Sequence, residues 1–356
     1  MPNNPFHAFT TNQLLMAVKQ MVPATSFLTK RYFPTDAGST FATEYVMVEY
    51  KDGTKKIAPH VTPGNTSLNL ERPGYDAWTY KPPMVKVRRV LTIDDLNTKG
   101  FGEALYSEMT PEQRAAYYTT EDLAEMDERI VRTEEAMCAQ VMQNNSITVD
   151  VYADNLDKKQ TETVNYYTGA NNAVYTPTTK WDQSGAKILD DLYAMTQILI
   201  QKGQPAVDLV VGASVASTLI NNTTIRDLLD NRRYELGGIA PEDLDEGAYL
   251  LGRLNCYGPT LNIIAYPMTY TDLAGTSHKY IDDKKVILTY PGAGRMIYGA
   301  ITQIDEDGGM PTTHAERRVP KYIGDAKTDI REYRLASRPL PIVVQKDCFI
   351  ASTVLS

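Results

Sequence analysis

Apolar positions change period several times along this chain, and each change predicts an element. Residues 11–22 (TNQLLMAVKQMV) follow an amphipathic helical pattern that Pro23 ends. The polar run PTDAGST (34–40) breaks the pattern, and residues 44–50 (EYVMVEY) are rich in strand formers. Strand-like alternation resumes over 84–93 (MVKVRRVLTI), after a stretch carrying Pro59, Pro63, Gly64, Pro73, Gly74, Pro82 and Pro83. Two strands enclosing a turn-rich excursion predict an extended hairpin. The excursion is too poor in apolar residues to bury itself, so it must stand in solvent or lie on something else.

Thr110, Pro111 and Gln113 form a capping box with proline at the first helical position, and a second start is open at Thr119. Leu123, Met126, Ile130, Met137 and Val141 then recur at helical spacing until Asn144 and Asn145 stop the helix. The result is a long helix with one narrow apolar stripe. Its carboxylates Glu121, Asp122, Glu125, Asp127, Glu128, Glu134 and Glu135 are expected on a solvated opposite side. Residues 147–153 and 161–167 predict a strand pair. From about 185 the texture becomes α/β, with a helix through Ile188, Leu192, Met195 and Leu199 that ends near Gly203. A buried strand (206–212), helical turns (214–220, 224–231) and strands at 261–266, 285–290 and 295–301 follow. One alternating strand over 340–353 closes the chain.

Composition narrows the class. At 356 residues the chain is longer than most single domains, and 42% hydrophobic with 22% charged residues is ordinary for a folded protein. The formal net charge is −8, which lacks the cationic footprint of a nucleic-acid binder. Cys138, Cys256 and Cys348 have neither disulfide-framework nor zinc spacing and suit a reducing compartment. The N-terminus shows no signal-peptide pattern, and no apolar run approaches the ~20 residues needed to span a bilayer. Tyrosine (23) far outnumbers phenylalanine (7), and such residues suit surfaces that become buried on association.

Candidate chemistry does not converge. His7, His60, His278 and His314 are isolated, with no second ligand at helical spacing, so no metal site is expected. Gly212-Ala213-Ser214-Val215-Ala216 lacks the closing glycine of a nucleophile elbow, and a helix start explains Ser214 better. Gly292-Ala293-Gly294 lacks the remaining features of a dinucleotide fingerprint or P-loop and is expected to be a hairpin turn. No catalytic residue, cofactor or metal is assigned, and the expected role is a structural subunit that assembles with copies of itself.

Several segments, taken in order, carry a resemblance. They are TSFLTKRYFP (25–34), YVMVEYKDGTKKIAPHVTPG (45–64) and ERPGYDAWTYKPPMVKVRRVL (71–91), then KVILTYPGAGRMIYGAI (285–301) followed by DED (305–307). RRVPKYIGD (317–325) and TDIREYRLASRPLPIVVQKDCF (328–349) complete the set. Across nearly the whole chain they resemble the phage lambda-type major capsid protein E family of tailed bacteriophages, with the Hong Kong 97-like capsid fold. The resemblance implies an α+β architecture: an N-terminal arm (1–43), an extended hairpin loop (44–92) and a peripheral domain (93–185) whose spine helix spans about 110–145. An α/β axial domain (186–324) and a C-terminal strand returning to the peripheral domain (325–356) complete it.

The implied function is a major capsid protein whose hexamers and pentamers form an icosahedral shell around phage double-stranded DNA, without sequence-specific DNA binding and without a membrane. Expected partners are the chain itself, a separate scaffolding protein, a portal protein and a small decoration protein. Assembly is expected in the host bacterial cytoplasm, and the product is the virion. An encapsulin-type compartment is the alternative of the same fold, and a soluble enzyme the alternative outside it. No covalent cross-link is expected, because its Lys, Asn and Glu trio cannot be assigned. Residues 51–89 hold eight basic against three acidic side chains, whereas 94–135 hold twelve carboxylates against four basic ones. Opposite signs predict that the hairpin of one subunit meets the spine of its neighbour. The interface residues named for that contact are Lys55, Lys56, Arg72, Tyr75, Trp78, Arg88 and Arg89 with Glu125 and Glu128.

Overall fold

A six-residue helix, Phe27–Tyr32 (α1), opens the described chain, buried along Phe27, Leu28, Thr29 and Tyr32. In this computed structural model the described residues are 26–36, 38–50, 74–98, 110–152, 159–167, 175–223, 225, 237–238, 242–244, 247–304, 309–325 and 330–356. The helix expected at 11–22, the hairpin tip with Lys55, Lys56 and Arg72, and the acidic run 305–307 lie outside them. After α1 come strands Thr40–Phe41 (β1), Val46–Tyr50 (β2), Asp76–Tyr80 (β3) and Val85–Thr92 (β4). Ile93–Asn97 (α2) follows, with Thr92 and Asp95 closing a capping box.

The long helix Pro111–Asn144 (α3) starts at the expected Thr110–Gln113 capping box, not at Thr119. Asn145 ends it in the left-handed conformation (φ 53°), which asparagine tolerates better than most residues. At 34 residues it is about 50 Å long. Its first half packs Ala115, Leu123, Met126 and Ile130 on a three-stranded sheet, while Met137, Val141 and Met142 of its second half enter the main core. Strands Ser146–Tyr152 (β5) and Lys159–Asn165 (β6) form the expected pair.

Next come helix Ile188–Gln201 (α4), strand Asp208–Val211 (β7), helix Ala213–Asn221 (α5) and two short strands, Gly237–Gly238 (β8) and Glu242–Asp243 (β9). Strands Tyr249–Asn255 (β10), Thr260–Ala265 (β11), Thr269–Thr271 (β12), Ser277–Lys279 (β13), Lys285–Thr289 (β14), Gly294–Gly299 (β15), Ile301–Ile304 (β16) and Pro311–His314 (β17) follow. Val319–Asp325 (β18), Ile330–Ser337 (β19), Pro339–Val343 (β20) and Ile350–Thr353 (β21) end the chain.

A seven-stranded sheet runs β21-β14-β7-β11-β10-β8, with β9 also paired to β10; β7 and β11 are parallel. Alternation explains why all four residues of β7 are buried. Leu209 and Val211 face α4 and α5 through Leu192, Leu199 and Val215, while Val210 faces the core shared with α3. Covered on both faces, the strand has no solvent side and reads as a continuous apolar run.

The structure corrects four expectations. The strand over 84–93 forms as β4 but pairs with β19, and the hairpin strand β2 instead pairs with β3. The closing strand is two strands: β20 pairs with β15, and β21 joins the seven-stranded sheet. Between them Asp347 adopts φ 57°, and its N–H donates to Tyr167 Oη at 2.9 Å, so the chain turns where alternation alone predicts continuity. Gly292–Gly294 links β14 to β15, which lie in different sheets, so it is a crossover and no hairpin turn. Tyrosine also does core duty, since Tyr32, Tyr166, Tyr298 and Tyr333 are among the largest fully buried side chains.

Candidate assembly interface

The β2–β3 ribbon lies with one face on the core of the subunit and the other uncovered. Tyr50 and Tyr80, at opposite ends of the core-facing side, are buried and contact Tyr167 and Tyr166 with ring centroids 5.5 and 5.2 Å apart. The Tyr167 N–H donates to Tyr80 Oη at 3.1 Å. Trp78 packs half-buried on the same core, so its part is to seat the ribbon. Met47, on the face turned away from the core, and Tyr75, just before β3, are each 64% exposed. Ion pairs at its two ends, Lys346 with Asp76 at 2.7 Å and Lys81 with Glu44 at 3.1 Å, add to that seating.

The carboxylates of α3 divide into two groups that the sequence does not separate. Arg89 lies on the face of β4 that meets α3, pairing with Glu125 and reaching Asp122 at 3.6 Å. Glu125 also takes Arg129, and Glu128 takes Arg132, each at 2.7 Å. Arg88 points to the other side of the sheet, 3.9 Å from Glu332. Arg89 and Glu125, expected to meet across a subunit boundary, therefore meet within one subunit because β4 and α3 pack together.

The second group is buried, which corrects the solvated-face reading. Asp127, Glu134 and Glu135 are at most 7% exposed. Arg318 donates to Glu134 Oε1 at 2.7 Å, to Glu134 Oε2 at 3.1 Å and to Asp127 Oδ1 at 2.5 Å, and Arg317 reaches Glu134 Oε2 at 3.2 Å. Burial pushes the Glu134 carboxyl up, but attraction and hydrogen bonding from Arg318 and Arg317 outweigh it and hold the pKa below the ordinary value. Glu135 instead receives Leu28 N at 2.8 Å, Thr29 N at 3.0 Å, Thr29 Oγ1 at 2.8 Å and Tyr266 Oη at 2.9 Å. Burial pushes its carboxyl up against the pull of those four donors. At the other end of α1, Asp208 receives Arg31 Nε at 2.6 Å, Tyr32 Oη at 3.2 Å and Asn262 Nδ2 at 2.9 Å. Two buried carboxylates thus lock α1 between α3 and the seven-stranded sheet.

A sequence signal for this existed. Asp127, Ile130, Glu134, Met137 and Val141 are spaced 3, 4, 3 and 4 apart, so Asp127 and Glu134 stand within the apolar stripe itself. Their cationic partners, Arg317 and Arg318, lie about 180 residues away and could not be assigned. The three cysteines are free and buried, and burial alone pushes the Cys256 thiol up to about 12. Among the described residues no His, Cys, Asp and Glu cluster could hold a metal ion, and no helix is long and apolar enough to cross a membrane. What the geometry builds, among the described residues, is a packed subunit with a two-stranded ribbon seated on its core and charged outer faces.

Solved structures share this architecture. One, described as the capsid protein of a prophage of E. coli CFT073, is 18% identical over 97% of this chain and 99% of that one, with a TM-score of 0.66. Another, in the mature capsid of bacteriophage PhiM1, is 11% identical over 94% of this chain and 88% of that one, with a TM-score of 0.52. The fold is thus the α+β Hong Kong 97-like capsid fold, the fold of shell subunits. Residues 10–354 match the model of the phage major capsid protein E family, and the chain belongs to that family. It is a structural component of the phage capsid, and the family match places the phage head ahead of the encapsulin-type alternative. No curated protein matches the chain.

Proposed function

We propose that this chain builds the head shell as hexamers and pentamers in the host cytoplasm, around double-stranded DNA that it does not read by sequence. A separate scaffolding protein and a portal protein are its assembly partners, with a small decoration protein as an outer accessory. The role is structural, with no catalytic step. The supporting observation is the β2–β3 ribbon, which among the described residues pairs with no third strand, lies on its own core by one face and leaves Met47 exposed on the other, with Tyr75 exposed just before β3. A two-stranded ribbon with one face uncovered gains by laying that face on a neighbouring subunit. Lys55, Lys56 and Arg72 are retained as contact residues of that ribbon, reaching carboxylates of the neighbour. Electron microscopy of the protein co-expressed with its scaffolding protein should show closed shells. Only compact monomers in sedimentation at micromolar concentration, scaffold supplied, would refute the proposal.

A further inference from the structure

The layer formed by β4, β18, β19 and the first half of α3 carries opposite charge on its two outer sides. Alternation turns Val87, Leu91, Tyr333 and Leu335 toward α3 and the intervening residues away from it. On that far side the register sets Arg334 directly opposite both Arg88 and Lys321, and Lys86 stands two positions from Arg88. The described carboxylate among them is Glu332, which pairs with Arg334 and lies 3.9 Å from Arg88. Lys86 and Lys321 have no ion pair among the described residues. Like charges facing each other across strands destabilise a sheet, so this row has a reason to exist outside the subunit's own fold. Partial burial lowers the pKa of Lys86, and repulsion from Arg334 and Lys321 adds to it.

The helix side of the same layer is acidic. Asp94 on α2 and Glu121 on α3 are exposed, and neither has an ion pair among the described residues. Ile93 and Tyr117 beside them are 48% and 53% exposed, and Val90 on the basic side is 44% exposed. The two sides look away from each other, so one subunit cannot satisfy itself. A second copy can.

We propose that the basic sheet face of one subunit (Lys86, Arg88, Lys321, Arg334) docks on the acidic helix side (Asp94, Glu121) of another copy. This rests on the shell reading and names a contact within it. Because the two surfaces differ, the contact is head-to-tail and can close into rings, as capsomers and their junctions require. Exposed apolar residues on both surfaces favour a protein partner, since phosphates would gain nothing from covering Val90. Complementary charge sets register and encounter rate more than affinity.

The test is a charge swap in the full chain, followed by light scattering and electron microscopy with scaffold present. Lys86→Glu with Lys321→Glu should slow assembly about tenfold at low salt. The melting temperature of the free subunit should not fall, because the reversal relieves the like-charge row. Adding Asp94→Lys and Glu121→Lys should restore the rate to within about twofold. Rising salt should slow the wild type and narrow the gap, given a Debye length of ~10 Å at 0.1 M. Normal assembly by the reversed variant, or no recovery in the fourfold variant, overturns the contact. Normal assembly with reduced retention of DNA also overturns it, and assigns the face to phosphates. A wild type that forms no shell under any condition would instead defeat the shell reading itself.

Discussion

Glu134 and Glu135 are adjacent in sequence, share the environment of a buried helix and yet do different work. Glu134 neutralises Arg318, whereas Glu135 accepts from backbone and hydroxyl donors and has no cation in its hydrogen-bond set. A buried ion pair contributes little net stability over an apolar equivalent, but removing one partner strands the other without water. Glu134→Gln should therefore lower stability by about 3 kcal/mol near neutral pH. The sign with pH follows from the depressed folded-state pKa. Stability from Glu134 is full above the unfolded carboxylate value and is lost as pH falls through the folded one. Urea denaturation should thus show the variant and wild type converging as pH drops below about 4, and a constant gap would show that the ion pair is not the source. Tyr45, Tyr75, Tyr117 and Tyr257 remain more than half exposed, so the tyrosine excess serves the surface and the core alike.

Elements were legible wherever one periodicity met one environment. The capping box, the stripe from Leu123 to Val141 and the Asn145 stop placed α3 from sequence, because helix ends are set by local hydrogen bonding. Strand partners were not legible, because β2, β3 and β4 share a pattern that fits several registers, and loop-closure entropy discriminates weakly among them. At the crossover after β14, close packing decides the residue. A Cβ on Gly294 would lie 2.3 Å from the Phe33 ring and 2.9 Å from the Ile342 carbonyl. Phe33 cannot retreat, since it is fully buried and stacked on Phe349 at 5.5 Å. Gly294→Ala should cost about 2 kcal/mol or more, and Phe33→Leu in the same chain should recover part of that loss. Strict additivity in the double-mutant cycle would show that the ring is not what excludes the side chain.

At the scale of the molecule, α3 joins the main core to the cluster on the three-stranded sheet, and α1 is locked against it by Glu135 and against the seven-stranded sheet by Asp208. Rigidity of that kind suits a shell brick. Replacing residues 52–73 with a short Gly-Ser turn should leave the isolated subunit melting within about 5 °C of wild type, as Trp78 and Tyr80 stay in place. Shell assembly should fail. A large drop in melting temperature would mean that the replaced segment belongs to the subunit's own core.

The sequence by itself determined the elements whose causes are local: the capped spine helix, the β5–β6 pair, the buried β7 and the ribbon strand β2. Its ordered segments also resemble a capsid family, and the whole-chain family match bears that out. Only the tertiary structure decided which strand closes the ribbon, where the last strand breaks and which carboxylates of α3 are buried. Those outcomes depend on residues brought together from far along the chain, as Arg318 is to Glu134 and Asp208 to Arg31. Periodicity records which side of an element is covered, but the identity of the covering group is a property of packing.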